Sequence, residues 1–220
     1  MQGDLVARIG RLDTAAVSDA LDSLGIPGRL ARITARTGHQ RIAGPAFTVR
    51  YRPAPTGGSE FHGAADYIDT VPAGAVIVID NNGSLECTNW GNILTYKAMA
   101  AGIAGTVVHG SARDIDEIVR MGYPVFSTGV TMVSGKNRVV LDETRCPIRI
   151  GDILVEPDDI ILADANGALR IPRAIAREVV ERAEAVESTE QKILDAVRAG
   201  GRLDDARKQF DYTRPWGAEK

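Results

Sequence analysis

The run Ala75-Val76-Ile77-Val78-Ile79 is unbroken by a polar side chain until Asp80. Successive side chains of a strand point to opposite faces, so a short run this apolar must be covered on both faces, as in the parallel sheet of an α/β fold. Gly105-Thr106-Val107-Val108-His109 and Pro124-Val125-Phe126-Ser127 repeat the pattern. Between them lie two helical patterns, one from about Asn92 to Ala101 stopped by Gly102, the other opening after Arg113 and Asp114. Strands and helices alternating in this way predict a βαβαβ unit with right-handed crossovers. The segments leaving the first two strands, Asn81-Asn82-Gly83 and Gly110-Ser111-Ala112, then share one edge of the sheet. Ligands bind at that edge in open α/β sheets, because helix N-termini aim unpaired amides into the crevice.

The rest of the chain predicts cover for this unit. Val17, Ala20, Leu21 and Leu24 recur at helical spacing between Asp13 and Gly25, with Asp13 or Thr14 as cap. Ala46 to Tyr51 reads as a strand, Pro53 to Gly58 as a loop, and Ser59 to Tyr67 as a short helix. Arg138–Leu141, Ile153–Glu156, Asp159–Ala163 and Ala168–Ile171 are short, β-prone and separated by turn residues, suiting a mostly antiparallel addition. Pro172 opens a long helix that runs through Arg198 and stops before Gly200-Gly201. Its charges, Glu178, Arg182, Glu184 and Glu187, suit a solvated face. Residues 209–220 carry Phe210, Tyr212 and Trp216 without periodicity and read as a tail that docks on the body or on a neighbouring subunit.

With 220 residues, 44% hydrophobic and 25% charged, the chain suits one domain spanning 1–220. A formal net charge of -3 gives no electrostatic footprint for nucleic acid. Cys87 and Cys146 lack paired spacing and suit buried thiols in a reducing, cytoplasmic setting; no signal segment or membrane-length apolar run is expected.

The chemistry concentrates at the predicted sheet edge, where the geometry suggests an anion and metal site. Gly91 allows close backbone approach, and the amides of Ile93 and Leu94 at a helix start can hold a carboxylate. Asn92 suits an N-cap, alone or with ligand contact as well. Arg113 is a planar fork suited to a carboxylate or an enolate oxygen. Asp114 with Glu117 three residues on also satisfies a capping box. His109 suits a hydrogen-bonded wall residue, His62 a structural one, and Trp90 a pocket shield or core filler. There is no Gly-rich phosphate loop and no Ser-His-Asp order.

The run Asn92, twenty residues, Arg113-Asp114-Ile115-Asp116-Glu117 resembles the signature of the class II pyruvate aldolases, a family shared with the regulator of ribonuclease activity A. That signature has an acid where this chain has Asn92. Thr14–Leu21, Ile42–Val49 and Gly151-Asp152 through Ala163–Gly167 also look like family blocks, so the likeness runs from about Leu12 to Ala199; Ser18-Asp19 falls in the first of them. The resemblance implies an αββα sandwich of the swivelling β/α type, closed by the C-terminal helix at 172–199. It implies Mg²⁺ or Mn²⁺ on Asp114, and substrate held by Gly91, Asn92, Ile93, Leu94 and Arg113. Arg113 and Asn92 would carry the catalysis. It also implies a homotrimer or hexamer without nucleic acid or membrane. The implied activity is a lyase on a 2-oxo or hydroxy acid: cleavage of 4-hydroxy-4-methyl-2-oxoglutarate or decarboxylation of oxaloacetate. The alternatives are a protein-binding regulator of ribonuclease E, or a lyase or hydratase on another hydroxy acid.

Overall fold

The computed structural model describes residues 2–38, 40–55 and 65–216. In chain order the elements are α1 (Gln2–Ile9), α2 (Thr14–Ser23), β1 (Arg29–Leu30), β2 (Thr34–Ala35), β3 (Ile42–Pro53), β4 (Val76–Asp80), β5 (Thr88–Trp90) and α3 (Asn92–Ala100). They continue with β6 (Gly105–Ala112), α4 (Ile115–Met121), β7 (Val125–Val130), β8 (Val139–Thr144), β9 (Ile148–Ile150) and β10 (Ile153–Val155). Last come β11 (Ile160–Asp164), β12 (Gly167–Ile171), α5 (Ala176–Arg198) and α6 (Leu203–Gln209).

The strands order as β1-β12-β11-β3-β4-β6-β7-β2. From β3 through β7 the pairing is parallel, whereas β11 and β12 pair antiparallel, as does β11 with β3. β3 joins the two regions because it is long enough to be used twice. Ile42–Pro45 face β11, and Ala46–Arg50 lie beside β4. The strand therefore starts earlier than its apolar core suggests, and it also reaches Pro53, paired with Val139 on β8. Proline is tolerated there at the end of the strand.

The two-residue alternation sorts the side chains into layers. On β4, Ile77 and Ile79 enter a core with Trp90, Ala98, Ile118 and Tyr123, under α3 and α4. Val76 and Val78 face the opposite way into a middle core with Ile148, Ile150, Val155, Ile161 and Ala163. On β11 the same rule sends Ile160 and Leu162 outward to Val17, Leu21, Val179, Val180 and Ala183 of α2 and α5. The result is helix, sheet, sheet, helix, the αββα sandwich expected. Sequence patterning passed over α1, β1, β2, β5, β9 and α6. Most are too short for a periodic signal, and their pairing comes from distant partners such as Ala168 and Leu169 for β1.

Asp13 caps α2, accepting from the Ala16 amide at 2.7 Å. The face of α5 expected to be solvated is partly engaged: Arg8 of α1 grips Glu184 with both Nε and Nη2, and Glu187 accepts from the Asp13 amide. Trp216 packs against the α2/α5 core with Arg182 over its ring. Of the helix expected over 59–67, residues up to 64, His62 included, lie outside the described residues; the described part is a 3₁₀ turn, Asp66–Thr70. Among the described residues no helix is long and apolar enough to cross a membrane.

Candidate functional site

The register brings the predicted residues to one edge. β5 lies parallel to the end of β6, with Thr88 opposite Ser111 and Trp90 opposite Ala112, so Gly91 and Arg113 leave adjacent strand ends. The Arg113 amide donates to the Trp90 carbonyl at 2.9 Å. Thr88 braces the junction, its one hydroxyl hydrogen lying within reach of both the Trp90 carbonyl at 2.7 Å and the Ser111 carbonyl at 3.0 Å. The Trp90 indole donates to Thr95 Oγ1, and its ring stacks on Tyr123, so Trp90 both fills the core and forms pocket wall.

The backbone departs from both capping expectations. Gly91 is the N-cap of α3, and Asn92 is its first helical residue. Asp114 occupies the cap position of α4 in the left-handed region, φ 57°, which turns its side chain away from its own helix. Instead of closing a capping box, Asp114 Oδ2 accepts from the Asn92 amide of α3 at 3.1 Å. Asp tolerates this conformation better than most residues. Gly91 is required by the approach: a Cβ there would lie 2.7 Å from Asp114 Oδ2.

One carboxylate thus satisfies the first amide of α3. The first bond within the helix runs from the Thr95 amide to the Gly91 carbonyl, so the helix itself supplies no acceptor to Ile93 or Leu94. These two residues, Gly91, Asn92 and Arg113 line a cavity of about 260 Å³, whose wall continues with Tyr51, Ala65, Asn89, Trp90, Gly135, Lys136 and Val139. Gly135 is needed for closure, since a Cβ would meet the Thr88 carbonyl at 2.4 Å. Burial pushes the Tyr51 phenol well up, so it stays protonated at neutral pH and cannot serve as a base. Burial also pushes up the thiol of Cys87, the residue before Thr88, which disfavours its thiolate.

Asp114 sits at the seam between this cavity and a shallow groove formed with Ile115, Asp116, Glu117 and Arg120. Arg113 Nε approaches Asp114 Oδ2 to 3.4 Å, an ion pair too long for a strong hydrogen bond. Asn92 Nδ2 donates to Glu117 Oε2 at 2.9 Å. Asn92 therefore lies between two carboxylates, accepted by one through its backbone and by the other through its side chain. Among the described residues no three or more His, Cys, Asp or Glu side chains cluster as a metal cage. This donor set suits a hard cation that keeps most of its waters and takes one or two carboxylates, Asp114 Oδ1 having no hydrogen-bond partner among the described residues; it does not suit zinc.

Other sequence candidates separate from the site. His109 Nδ1 pairs with Asp80 Oδ1 at 3.0 Å, making it a wall residue of the neighbouring loop. Asp19 lies between α2 and α5 with Glu190 and Trp216, on the outer helix layer. Asn89, Tyr51 and the 134–136 turn were not singled out from sequence. Nothing periodic marks them, and only the fold brings β3 and the β7–β8 connection to β5.

The family model for RraA-like proteins, described as Aldolase/RraA, matches residues 14–170. The chain is 45% identical over 213 residues to protein DlpA of Legionella pneumophila, covering 97% of this chain but 35% of DlpA's length. It is 30% identical over 200 residues to a candidate 4-hydroxy-4-methyl-2-oxoglutarate aldolase of Halalkalibacterium halodurans, covering 89% of this chain and 91% of that protein. Among solved structures, an uncharacterized protein from Pseudomonas syringae superposes with a TM-score of 0.86 at 44% identity, covering 93% of this chain and 97% of that one. Streptomyces coelicolor RraAS2, described as an unusual member of the RNase ES inhibitor RraA family, superposes with a TM-score of 0.78 at 29% identity, over 86% of this chain and 94% of that one.

Proposed function

The chain belongs to the RraA-like family, and from that premise we propose that it is a carbon–carbon lyase acting on a 2-oxo acid, with pyruvate as product. Retro-aldol cleavage of a 4-hydroxy-4-methyl-2-oxoglutarate-type substrate and decarboxylation of oxaloacetate both fit. The observation that carries the reading is one cavity shared by Ile93, Leu94 and Arg113 with a largely apolar remaining wall.

Each group has a task in the bond-breaking step common to both reactions. The amides of Ile93 and Leu94 hold the C1 carboxylate at the positive end of α3. Arg113 stands where negative charge builds as the carbon–carbon bond breaks and pyruvate enolate forms. The Trp90, Leu94 and Val139 side chains exclude water, which strengthens both interactions. A bound Mg²⁺ or Mn²⁺, held by Asp114, would supply Lewis-acid stabilisation to the same oxygens. Asn92 does not titrate, so it positions a water or a substrate oxygen and leaves proton transfer to another group.

The test is pyruvate release coupled to lactate dehydrogenase, on both substrates, with wild type and Asn92→Asp. Decarboxylation asks only for enolate stabilisation, whereas aldol cleavage also removes a hydroxyl proton. Wild type should favour oxaloacetate, and Asn92→Asp should gain aldol cleavage on the order of 10²-fold. No pyruvate from either substrate with either metal would overturn the lyase reading. Efficient wild-type aldol cleavage without a gain in the variant would show that another group moves the proton.

A second reading, a protein-binding regulator of ribonuclease E, draws support from the likeness to RraAS2 and from the non-titrating Asn92. Capture of the chain by a ribonuclease E scaffold, with no turnover, would favour it. The proposal extends to the assembly, a trimer or hexamer: Ile93 and Tyr96 are 79% and 74% exposed on α3 beside the cavity, an apolar face suited to cover by a neighbouring copy.

A further inference from the structure

Among its described lining residues the cavity has two cations and no carboxylate or imidazole: Arg113 comes from the end of β6, and Lys136 from the turn between β7 and β8. Such a lining suits a dianion, the charge carried by both proposed substrates. The turn that carries Lys136 is tied to β5. The Thr88 amide donates to the Val133 carbonyl at 2.9 Å, Ser134 bridges to Thr88, and the Lys136 amide donates to Ser134 Oγ at 3.1 Å. The Arg138 and Val139 amides both donate to the Gly135 carbonyl, at 2.9 and 3.0 Å, so the backbone is held on either side of the lysine. Lys136 is an exposed residue, in contact with solvent as well as with the cavity.

Resting on the lyase reading, we infer that Lys136 is the catalytic acid that delivers a proton to C3 of the pyruvate enolate. Bond cleavage alone ends at the enolate, and Asn92 has no proton to exchange. The donor must be a cavity group able to part with a proton. Arg113 is not, because a guanidinium stays charged in proteins, and Tyr51 is held protonated by burial. Lys136 is the titratable group that remains among the described lining residues. With C1 on the α3 amides and the C2 oxygen at Arg113, C3 is the part of the enolate left to face the rest of the wall. As the bond from C3 to C4 breaks, its electron pair becomes the C2–C3 double bond and the carbonyl pair moves onto the C2 oxygen. The double-bond pair then takes a proton from the Lys136 ammonium, the N–H pair returns to nitrogen, and the C2 carbonyl re-forms. The amine regains a proton from solvent on its exposed side, so decarboxylation consumes one proton overall. An ammonium has protons to give and no lone pair to receive one. Lys136 therefore completes decarboxylation but cannot take the hydroxyl proton that aldol cleavage must lose, in line with the wild-type preference for oxaloacetate.

The probe is pyruvate in D₂O with the full chain and Mg²⁺, since exchange of its methyl protons, followed by proton NMR, is the last step run backwards and then forwards. Oxaloacetate decarboxylation is followed beside it as carbon dioxide and as pyruvate, and oxalate affinity by calorimetry. Lys136→Arg keeps the positive charge on a group that cannot let go of its proton. It should exchange pyruvate on the order of 10²-fold more slowly than wild type while binding oxalate within about twofold. Lys136→Met should exchange as slowly. In both variants carbon dioxide should run ahead of pyruvate, because the enol leaves and becomes the ketone in solution, whereas in wild type the two should appear together. Wild-type exchange by Lys136→Arg overturns the inference, because charge alone would then suffice. So does a loss of exchange matched by an equal loss of oxalate affinity in both variants, the mark of a positioning role. Wild-type decarboxylation in which carbon dioxide runs ahead of pyruvate sinks this inference alone, whereas neither carbon dioxide nor exchange with Mg²⁺ or Mn²⁺ sinks the lyase reading along with it.

Discussion

Asp159 and Asp114 both lie near strand or helix ends and both pair with arginine, yet their surroundings differ in kind. Asp159, on the antiparallel side, accepts from the Glu156 amide and Arg170 Nε through Oδ2, and from the Arg173 amide through Oδ1. Asp164 nearby is equally occupied, by the Thr14 amide and hydroxyl and the Asn166 amide. Asp114, on the parallel side, accepts one amide, faces Arg113 at 3.4 Å and holds a left-handed backbone. The antiparallel region uses its carboxylates to tie the chain together, with each oxygen committed. Among the described residues, the parallel edge leaves capacity spare at Asp114 and at two amides of α3. Spare capacity in a cleft is what ligands need, and sealed capacity is what a fold needs.

The contrast can be broken by exchanging what each aspartate loses. Asp159→Ala leaves Arg170, largely buried, without its close partner, and truncating one member of such a pair costs about 3–5 kcal/mol. For a chain of this size that is on the order of 10 °C in melting temperature, read by calorimetry. Oxalate affinity of the folded fraction should be unchanged. A small thermal shift would mean that the network is surface decoration.

Arg113→Lys tests the other side. The charge survives and the fork does not, so the expected loss is about 2–4 kcal/mol of transition-state stabilisation, appearing mostly in kcat on the preferred substrate. Its melting temperature should stay near wild type because the Arg113 side chain is 36% exposed. Wild-type turnover by this variant would remove the bidentate role.

Asp114→Asn sharpens the comparison with the smallest structural change. Asparagine tolerates the left-handed backbone and still accepts from the Asn92 amide, while the charge is gone. Stability should move by less than about 1 kcal/mol. Mn²⁺ affinity, followed by titration, should be lost, and retention of tight binding would place the cation elsewhere.

Much of the molecule was legible from local pattern because its layers obey the two-residue rule. Val76 to Ile79 must be covered on both faces, so they announce the parallel sheet, and the spacing of Asn92, Arg113 and Asp114 places all three at one edge of it. The blocks at Thr14 and Asp164 could be seen as family-like, but their meaning as a mutual anchor required knowing that residues 150 positions apart touch. The same limit applies to the caps. Asn92 and Asp114 each carry the chemistry of a cap for their own helix, and local chemistry cannot register that a left-handed turn delivers Asp114 to the other helix.

Sequence alone determined the α/β class and the residue types that meet at the ends of β5 and β6, since periodicity and turn composition are properties of neighbours along the chain. Tertiary structure decided which carboxylate meets which amide, that Asn92 bridges Asp114 and Glu117, and that the Asn89 amide is buried without a hydrogen-bond partner among the described residues. Those facts are distances between segments far apart in sequence, fixed by strand register and helix packing, and an unsatisfied group can be recognised only when everything around it is in place.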